Sequence, residues 1–455
     1  MQVDGRLLVG GRQEVPWWNG KLRTSFLSKA KPHVTRFVPG REGLGLTDRI
    51  DSTVNYMVKN QILVLDHNYG LWYERRRDDH ERVRRRDGDV WGPFYEQPFA
   101  RSGKGTAWEG LSKYDLNRPN AWYWNRLKQF AEKGAKKGLL LFHENYFQHN
   151  ILEAGAHWVD CPWRSANNIN QTDMPEPVPF AGDKRIFVAD MFYVSHPVRR
   201  EFHRKYIRQC LDNFADDANV VQLISAEFTG PLHFVQFWLD VIGEWEKETG
   251  KKATVALSAT KDVQDAILND TQRAKLVDII DIRYWHYKVD GLYAPEGGKN
   301  LAPRQHARKM KVGKVTFDEA YRAVSEYRKK FPEKAVTYYA QNYPDMAWAV
   351  FMASGSCPVV PVADESFLTD AAAMDMEDTG TNKYQKLVKS GIGSIIYSHS
   401  ATDIPVHLSP GKYILKSVDP KTGAITVIAK RLNIKDVYML KAEKNKDCIY
   451  WFHRI

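Results

Sequence analysis

The sequence has few cysteines and no long apolar run, and both absences narrow the class of protein. Its four cysteines, Cys161, Cys210, Cys357 and Cys448, form no CxxC pair, which argues against a structural zinc site or a disulfide framework. No apolar stretch approaches the roughly 18 residues that cross a bilayer. The first residues also lack the basic head and apolar core of a signal peptide. We expect no membrane insertion, and a chain that is either cytoplasmic or begins after an export signal.

Nucleic-acid motifs and the dinucleotide-binding GxGxxG pattern are missing too, although the net charge is +11. A positive charge can attract nucleic acid, a membrane surface or an anionic polysaccharide. The basic residues are spread along the chain, and aromatic residues make up 12%, with 14 Trp and 22 Tyr. Trp, Tyr and Arg suit sugar rings and uronate carboxylates. We therefore expect a carbohydrate substrate, no nucleic-acid partner, and a monomer or small homo-oligomer.

Eight short apolar runs alternate with helical patterns along most of the chain. The runs are rich in Val, Ile and aromatic residues, as strands prefer, and they lie at 33–39, 61–66, 138–143, 220–227, 253–258, 277–283, 334–340 and 357–362. Helical periodicity falls at 48–59, 120–136, 197–214, 233–249, 316–330 and 345–352. This alternation predicts an α/β fold, a (β/α)₈ TIM barrel. An open doubly wound sheet is the alternative.

The pattern changes near residue 391, where short strands are separated by turn sequences such as 419–423. This is typical of a small antiparallel β-sandwich. We predict an N-terminal extension (1–30), a catalytic barrel (31–385) and a C-terminal β domain (391–455). Two long connections, 67–119 and 144–196, are rich in aromatic residues, and we expect them to form substrate-binding walls.

Polar side chains cluster where the predicted strands end, and in parallel barrels the chemistry is built at that end. We expect the following residues to bind substrate: Arg36, Asp66, His67, Asn68, Trp72, His143, Asn145, Trp163, Tyr284, Trp285, His286, Gln341 and Asn342.

Four carboxylates are candidates for catalysis. Glu227 ends an apolar run between Ala226 and Phe228, and an apolar setting favours the protonated form that a general acid needs. Glycoside hydrolysis requires a second carboxylate across the scissile bond. Glu365 is the first choice for it, with Asp364 beside it and Glu144 next. Asp364 and Glu365 could alternatively cap a helix, and Glu144 could hold a substrate hydroxyl.

Two other functions remain open at this point. Asp66, His67, His143 and His286 could ligate a metal in a hydrolase or lyase, but no HxH or HExxH spacing supports this, so we predict no metal and no cofactor. The barrel could also bind glycans without cleaving them.

Residues 115–131, leading into 137–141, resemble the helix before strand three of clan A barrel glycosidases. Residues 219–227 are similar to the clan's fourth strand, and this resemblance implies that Glu227 is the acid/base. Ala226 stands where the clan carries Asn, and Gln341-Asn342 stand where its nucleophile ends strand seven.

Residues 30–455 as a whole resemble a group of uncharacterised bacterial proteins linked to polysaccharide degradation, with a barrel followed by a small β domain. The resemblance implies a glycoside hydrolase in a secreted or periplasmic setting. It further implies a plant or host glycan as substrate, with acidic glycans among the candidates.

Overall fold

The computed structural model describes residues 10–13, 34–37, 47–69, 96–147, 161–174, 192, 194–225, 228–298, 315–338, 346–399, 403–443 and 446–455. Up to residue 338 its strands are, in chain order, β1 (Gly11–Gln13), β2 (Ile62–His67), β3 (Phe99–Arg101), β4 (Tyr114–Pro119), β5 (Leu140–Glu144), β6 (Val220–Leu223), β7 (Thr254–Ser258), β8 (Ile279–Ile282), β9 (His286–Lys288), β10 (Gly291–Tyr293) and β11 (Ala335–Tyr338). The helices are α1 (Ile50–Lys59), α2 (Ala121–Ala135), α3 (Pro197–Asn213), α4 (Leu232–Thr249), α5 (Lys261–Asn269), α6 (Phe317–Lys330), α7 (Ala347–Met352) and α8 (Glu365–Ala373). Among these helices, none combines the length and apolar character that spanning a bilayer requires.

Seven of the strands form one parallel sheet in the order β1-β2-β5-β6-β7-β8-β11, which is also their order along the chain. A helix lies between most neighbouring strands, as the alternating pattern predicts. Local sequence signals fix the helix ends. Asn120 caps α2 by accepting hydrogen bonds from the backbone of Trp122 and Tyr123, and α4 ends at Gly250, whose φ of 71° suits glycine.

The sheet closes into a ring through a short segment after α7. The backbone N–H of Ser356 donates to Val336 of β11 at 2.6 Å, and the N–H of Gly10 donates to Pro358 at 3.2 Å. The segment 356–358 therefore lies between the last and first strands and takes the eighth position. The fold is a (β/α)₈ barrel, and the open-sheet alternative is wrong.

The first strand is not where the apolar pattern puts it. β1 lies inside the predicted N-terminal extension and pairs with β2, whereas residues 34–37 form a turn and a single bridge residue. β1 is only three residues long and carries Arg12, whose charge is neutralised inside the barrel. It lacks the apolar run from which a strand is recognised.

The strands alternate between the barrel interior and the surrounding helices, as a two-residue period requires. The interior side chains form a cluster of their own: Val64, Leu140, Phe142, Val221, Leu223, Ala256, Ile279, Ala335 and Cys357. The intervening residues, among them Leu65, Leu141 and Leu257, belong to the larger core between sheet and helices. This alternation decides which polar residues face the barrel interior.

The remaining strands build a C-terminal sandwich: β12 (Asp375–Glu377), β13 (Tyr384–Lys389), β14 (Gly393–Ser398), β15 (Asp403–His407), β16 (Gly411–Val418), β17 (Ile425–Ile434), β18 (Val437–Lys441) and β19 (Cys448–Arg454). Six form an antiparallel sheet in the order β12-β13-β14-β19-β16-β17, while β15 and β18 pair separately. The core between the two sheets includes Ile404 and Phe452. The domain begins at Asp375, earlier than the predicted residue 391, because β12 and β13 already pair in its sheet.

The outer face of the six-stranded sheet packs on the barrel. Trp451 of β19 lies in one apolar cluster with Phe367 of α8, and its indole N–H donates to Asp370 at 2.8 Å.

The described parts of the two long connections contact each other. Tyr114 and Asn168 form a parallel bridge, and the Leu116 N–H donates to the Asn170 side chain at 2.7 Å.

Candidate active site

The carboxyl ends of β2 and β5 bring two of the predicted residues together. Glu144 ends β5 and is 1% exposed, and Asn68 follows β2. The Asn68 amide donates to Glu144 Oε2 at 3.0 Å. Since Leu140 and Phe142 on the same strand face the interior, the alternation directs Glu144 into the mouth of the barrel. The structure therefore places one candidate catalytic carboxylate at the functional end of the sheet.

A charged cluster fills the interior layer beneath this pair. We define the barrel cluster as Arg12, Asp66, Asp281 and Arg283. The Arg12 guanidinium donates to Asp66 at 2.7 and 3.1 Å and to Asp281 at 2.9 Å. Arg283 donates to Asp281 at 2.5 Å and to Asp66 at 3.0 Å. Each arginine therefore bridges both carboxylates. Asp281 also accepts a hydrogen bond from the Thr337 hydroxyl at 2.6 Å.

The cluster is sealed from water and its charges balance. Asp66 and Asp281 are fully buried. Burial alone would raise the pKa of the Asp281 carboxyl, but Arg12 and Arg283 outweigh it and hold that pKa well below its usual range. Both arginines are neutralised by carboxylates, so the cluster ties β1, β2 and β8 together across the interior. Asp66 therefore has a structural role in place of the predicted substrate contact.

His67 and His143 face the helices, one residue out of phase with the interior side chains. His143 Nδ1 lies 3.0 Å from Gln222 Oε1, and its ring packs against Trp124 and Phe214. Burial lowers the pKa of His143 to about 4. Burial, and after it the neighbouring His143, lowers the pKa of His67 as well.

The prediction that these two histidines bind substrate is therefore wrong. The alternative metal set is not assembled either, because Asp66 and His67 point to opposite faces of β2.

Asn145 lies behind Glu144, where it holds the end of β5. Its side chain donates to Gln222 Oε1 at 2.8 Å and accepts from the Trp238 indole at 2.8 Å. Its backbone N–H donates to Leu223 at 2.8 Å. These hydrogen bonds hold Asn145, the residue next to Glu144, in place. The prediction that Asn145 contacts substrate is therefore wrong.

Most of the predicted sugar-stacking aromatic residues belong to the core. Trp163 is fully buried and stacks on His203 with ring centroids 5.1 Å apart. Trp285 is also fully buried and donates to Gln264 at 2.7 Å. With their rings fully buried, neither indole has a face exposed for stacking on a sugar.

Three further predicted residues are buried as well. Tyr284 is 5% exposed, and His286 is fully buried, with its ring 5.1 Å from that of Tyr293. Arg36 is fully buried and lies 4.0 Å from Asp48. Burial does not separate these three residues from the site, because Glu144 and Asn68 are buried as well, so their substrate contacts stay a prediction.

Asp364 and Glu365 are exposed at the start of α8. Asp364 Oδ1 accepts a hydrogen bond from the backbone of Phe367 at 2.8 Å, which is an N-cap. The flanking Ala363 and Leu368 line a groove of about 320 Å³ with residues that precede β2 and β5. This groove lies at the amino-terminal ends of the strands. This position does not suit a second catalytic carboxylate, and the capping alternative holds for Asp364, whereas Glu365 is the first residue of α8.

Four predicted residues, Glu227, Trp72, Gln341 and Asn342, lie outside the described residues. Conversely, the sequence reading missed Arg12 and Asp281. A signal for Asp281 exists, because Asp281 and Arg283 stand at a two-residue spacing in an apolar run. Charges inside a buried strand must be paired.

Solved structures similar to this chain are glycoside hydrolases. One from Bacteroides vulgatus, of glycoside hydrolase family 5, is 10% identical over 99% of this chain and 93% of its own, with a TM-score of 0.48. Another, described as a glycoside hydrolase, is 11% identical over 97% and 98%, with a TM-score of 0.46. Endo-glycoceramidase II of a Rhodococcus species is 11% identical over 99% and 98%, with a TM-score of 0.37. At these identities and scores, the likenesses transfer neither an activity nor a site residue.

No curated protein matches the chain by sequence. A family profile does match it, over residues 1–374, which is the barrel through α8. The chain belongs to the family described as domain of unknown function DUF6298.

Proposed function

We propose that this protein is a glycoside hydrolase that cleaves a polysaccharide or oligosaccharide by carboxylate catalysis. The observation that supports this most is Glu144, a buried carboxylate at the mouth of a (β/α)₈ barrel with an amide donor 3.0 Å away. A carboxylate this deeply buried is costly to keep unless hydrogen bonds or charges compensate for its desolvation. Its position at the end where barrel enzymes build their sites favours a catalytic role over a structural one.

The hydrogen bond from Asn68 suggests which role Glu144 has. A donor aimed at a carboxylate stabilises the ionised form, which a nucleophile or a general base needs. We assign this role to Glu144. Glu227 remains the general acid, because it follows β6 in the sequence between Ala226 and Phe228. Glu144 thus replaces Glu365 as the partner of Glu227.

The stereochemistry of the product reports on the distance between these two carboxyl groups. A separation of about 5–5.5 Å implies retention through a glycosyl-enzyme intermediate, and about 6.5–9.5 Å implies inversion through a water molecule. Proton NMR of the first-formed sugar anomer distinguishes the two outcomes.

The test compares Glu144→Gln, Glu227→Gln and Glu365→Gln on a panel of neutral and acidic polysaccharides. We expect the first two variants to lower kcat by roughly 10²–10⁴-fold, the usual contribution of a positioned acid or base. Glu365→Gln is the matched control, since Glu365 is exposed on α8, and it should keep the wild-type rate. Thermal melting verifies that all three variants fold. Wild-type turnover by a folded Glu144→Gln variant on every active glycan would refute the proposal.

A further inference from the structure

The outermost strand of the C-terminal sheet carries a group of exposed cations. β17 lies at the edge of the six-stranded sheet and pairs with β16. We define the basic strip as Lys412 of β16, Lys430 and Arg431 of β17, and Lys435 in the turn that follows. All four residues are exposed.

A β-bulge gathers these side chains. Tyr413 pairs with Leu432 and Leu415 with Ala429, so that Lys430 and Arg431 together oppose the single residue Ile414. A bulge of this kind re-aims side chains and is common at sheet edges beside functional sites. Here it leaves two consecutive cations exposed, whereas a regular strand would turn one of them inward.

The strand register places Lys412 beside them. Lys412 lies opposite Asn433, and diagonal neighbours on one face of an antiparallel pair are about 7–8 Å apart. Lys412 and Arg431 are such neighbours. From Lys430 to Lys435 the strip extends over roughly 17 Å at the rise of an antiparallel strand.

These charges are not neutralised by neighbouring acids. Within the described residues, no strip side chain forms an ion pair or a side-chain hydrogen bond, and the adjacent Asp436 is not paired with them. By contrast, many surface cations of the barrel have acidic partners, such as Lys128 with Asp217 and Arg273 with Asp240. Adjacent cations without an acidic partner repel one another, so this group of charges does not itself stabilise the folded domain.

We propose that the basic strip binds an acidic polysaccharide through its carboxylate or sulfate groups. An exposed ion pair contributes at most about 1 kcal/mol, so useful affinity requires several contacts with one polymer. An extended strip without a pocket suits a linear chain, and Arg431 can bind an anionic group in bidentate fashion. The strip would hold the substrate of the proposed hydrolase, and this choice of polymer rests on that proposed function.

A single-stranded nucleic acid fits the strip less well. Its binding surfaces combine cations with aromatic side chains on which the bases stack. Asn433 and Ile414, the residues that pair with the strip, carry no aromatic ring. Edge charges, especially Lys, also prevent strands from pairing with other molecules, and a carboxylate places a charge at the edge as well. Charge reversal therefore separates ligand binding from edge protection.

The experiment measures binding of polygalacturonate, a neutral glucan and single-stranded DNA to full-length protein carrying Glu144→Gln, which prevents turnover. The test variant adds Lys412→Glu, Lys430→Glu, Arg431→Glu and Lys435→Glu. A matched control reverses four exposed cations outside the two long connections, also three lysines and one arginine: Lys59, Lys136, Arg200 and Lys275. Isothermal titration calorimetry at 50 and 200 mM salt gives the affinities, and light scattering gives the solubility.

We expect reversal of the strip to weaken polygalacturonate binding at least tenfold, with the control variant unchanged and the glucan not bound. Higher salt should weaken the binding of polygalacturonate to the protein with an unchanged strip, because the Debye length is only about 10 Å at 0.1 M. Unchanged affinity in a soluble strip variant would overturn the proposal and leave edge protection as the role. Equal affinity for DNA would also overturn it. Binding is measured without turnover. The binding result therefore tests the strip whether or not the proposed hydrolysis is confirmed.

Discussion

The barrel cluster and the basic strip hold their charges in opposite ways. In the barrel, Arg12 and Arg283 are sealed from water, and each donates to both Asp66 and Asp281. On β17, Lys430 and Arg431 face solvent, and no acidic partner lies beside them in the described part of the domain. Both regions contain four charged residues, yet one is neutral as a group and the other is uniformly positive.

The difference follows from the environment of each group. A charge removed from water must be paired, because its desolvation costs several kcal/mol. An exposed charge can stay unpaired at little cost, since water and salt screen it. Buried charges that are fully paired therefore indicate a structural role, whereas exposed charges without an acidic partner are available to bind a ligand. Substitutions at both places measure how far this distinction holds.

The largest effect is expected from Asp281→Ala. Of the two described carboxylates that pair with Arg12 and Arg283, the change leaves only Asp66. Breaking a buried pair in this way costs about 3–5 kcal/mol of unfolding free energy. Urea denaturation measures it, with the exposed Asp436→Ala as control and an expected change within about 0.5 kcal/mol. A loss below about 1 kcal/mol for Asp281→Ala would mean that the cluster does not hold the barrel together.

An intermediate effect is expected from His143, a buried group that forms no ion pair with any described residue. Its pKa is lowered to about 4, so between pH 6.5 and 4 the unfolded chain binds more protons than the folded one, and stability falls as the pH is lowered. The difference corresponds to about 3 kcal/mol at 1.36 kcal/mol per pKa unit. His143→Gln should remove this loss and flatten the curve of unfolding free energy against pH.

Asp278 acts in the opposite sense over part of this range, because burial raises its pKa to about 6. The difference between wild type and His143→Gln cancels its contribution. Parallel curves for the two proteins would show that His143 does not titrate as its surroundings require.

The smallest effect is expected in the basic strip. Replacing Lys430 and Arg431 by alanine removes like charges from one edge, so the unfolding free energy should change by no more than about 0.5 kcal/mol. A small gain at low salt would reflect the lost repulsion. Urea denaturation at two salt concentrations measures the change. A loss above about 1 kcal/mol would show that the strip has a structural role, which would weaken its contrast with the barrel cluster.

The barrel could be predicted because most of its strands carry strong apolar signals. β5 and β7 lie in continuous hydrophobic runs, and α2 has Asn120 as its cap and ends before Gly138. β1 could not be found in this way, since its three residues include Arg12 and its place depends on carboxylates from distant strands.

The candidate site was harder to predict, for a related reason. In a strand buried on both faces, both sets of alternating residues are mostly apolar. The sequence of such a strand therefore does not reveal which set faces the barrel interior. Asp66 and His67 are neighbours, and only the structure shows that Asp66 lies in the barrel while His67 faces the helices. Glu144 is directed into the mouth and His143 away from it for the same reason. Asp364 was misassigned because an acidic residue after a strand resembles both a cap and a catalytic group.

The backbone bond between Gly10 and Pro358 affects how the chain folds during synthesis. The two residues are 348 positions apart. β1 therefore leaves the ribosome long before the segment 356–358, which pairs with it, has been made. At the usual rate of about 5–20 residues per second, the wait is roughly 17–70 s. During this time one edge of β1 stays unpaired, and an unpaired strand edge can pair with another chain.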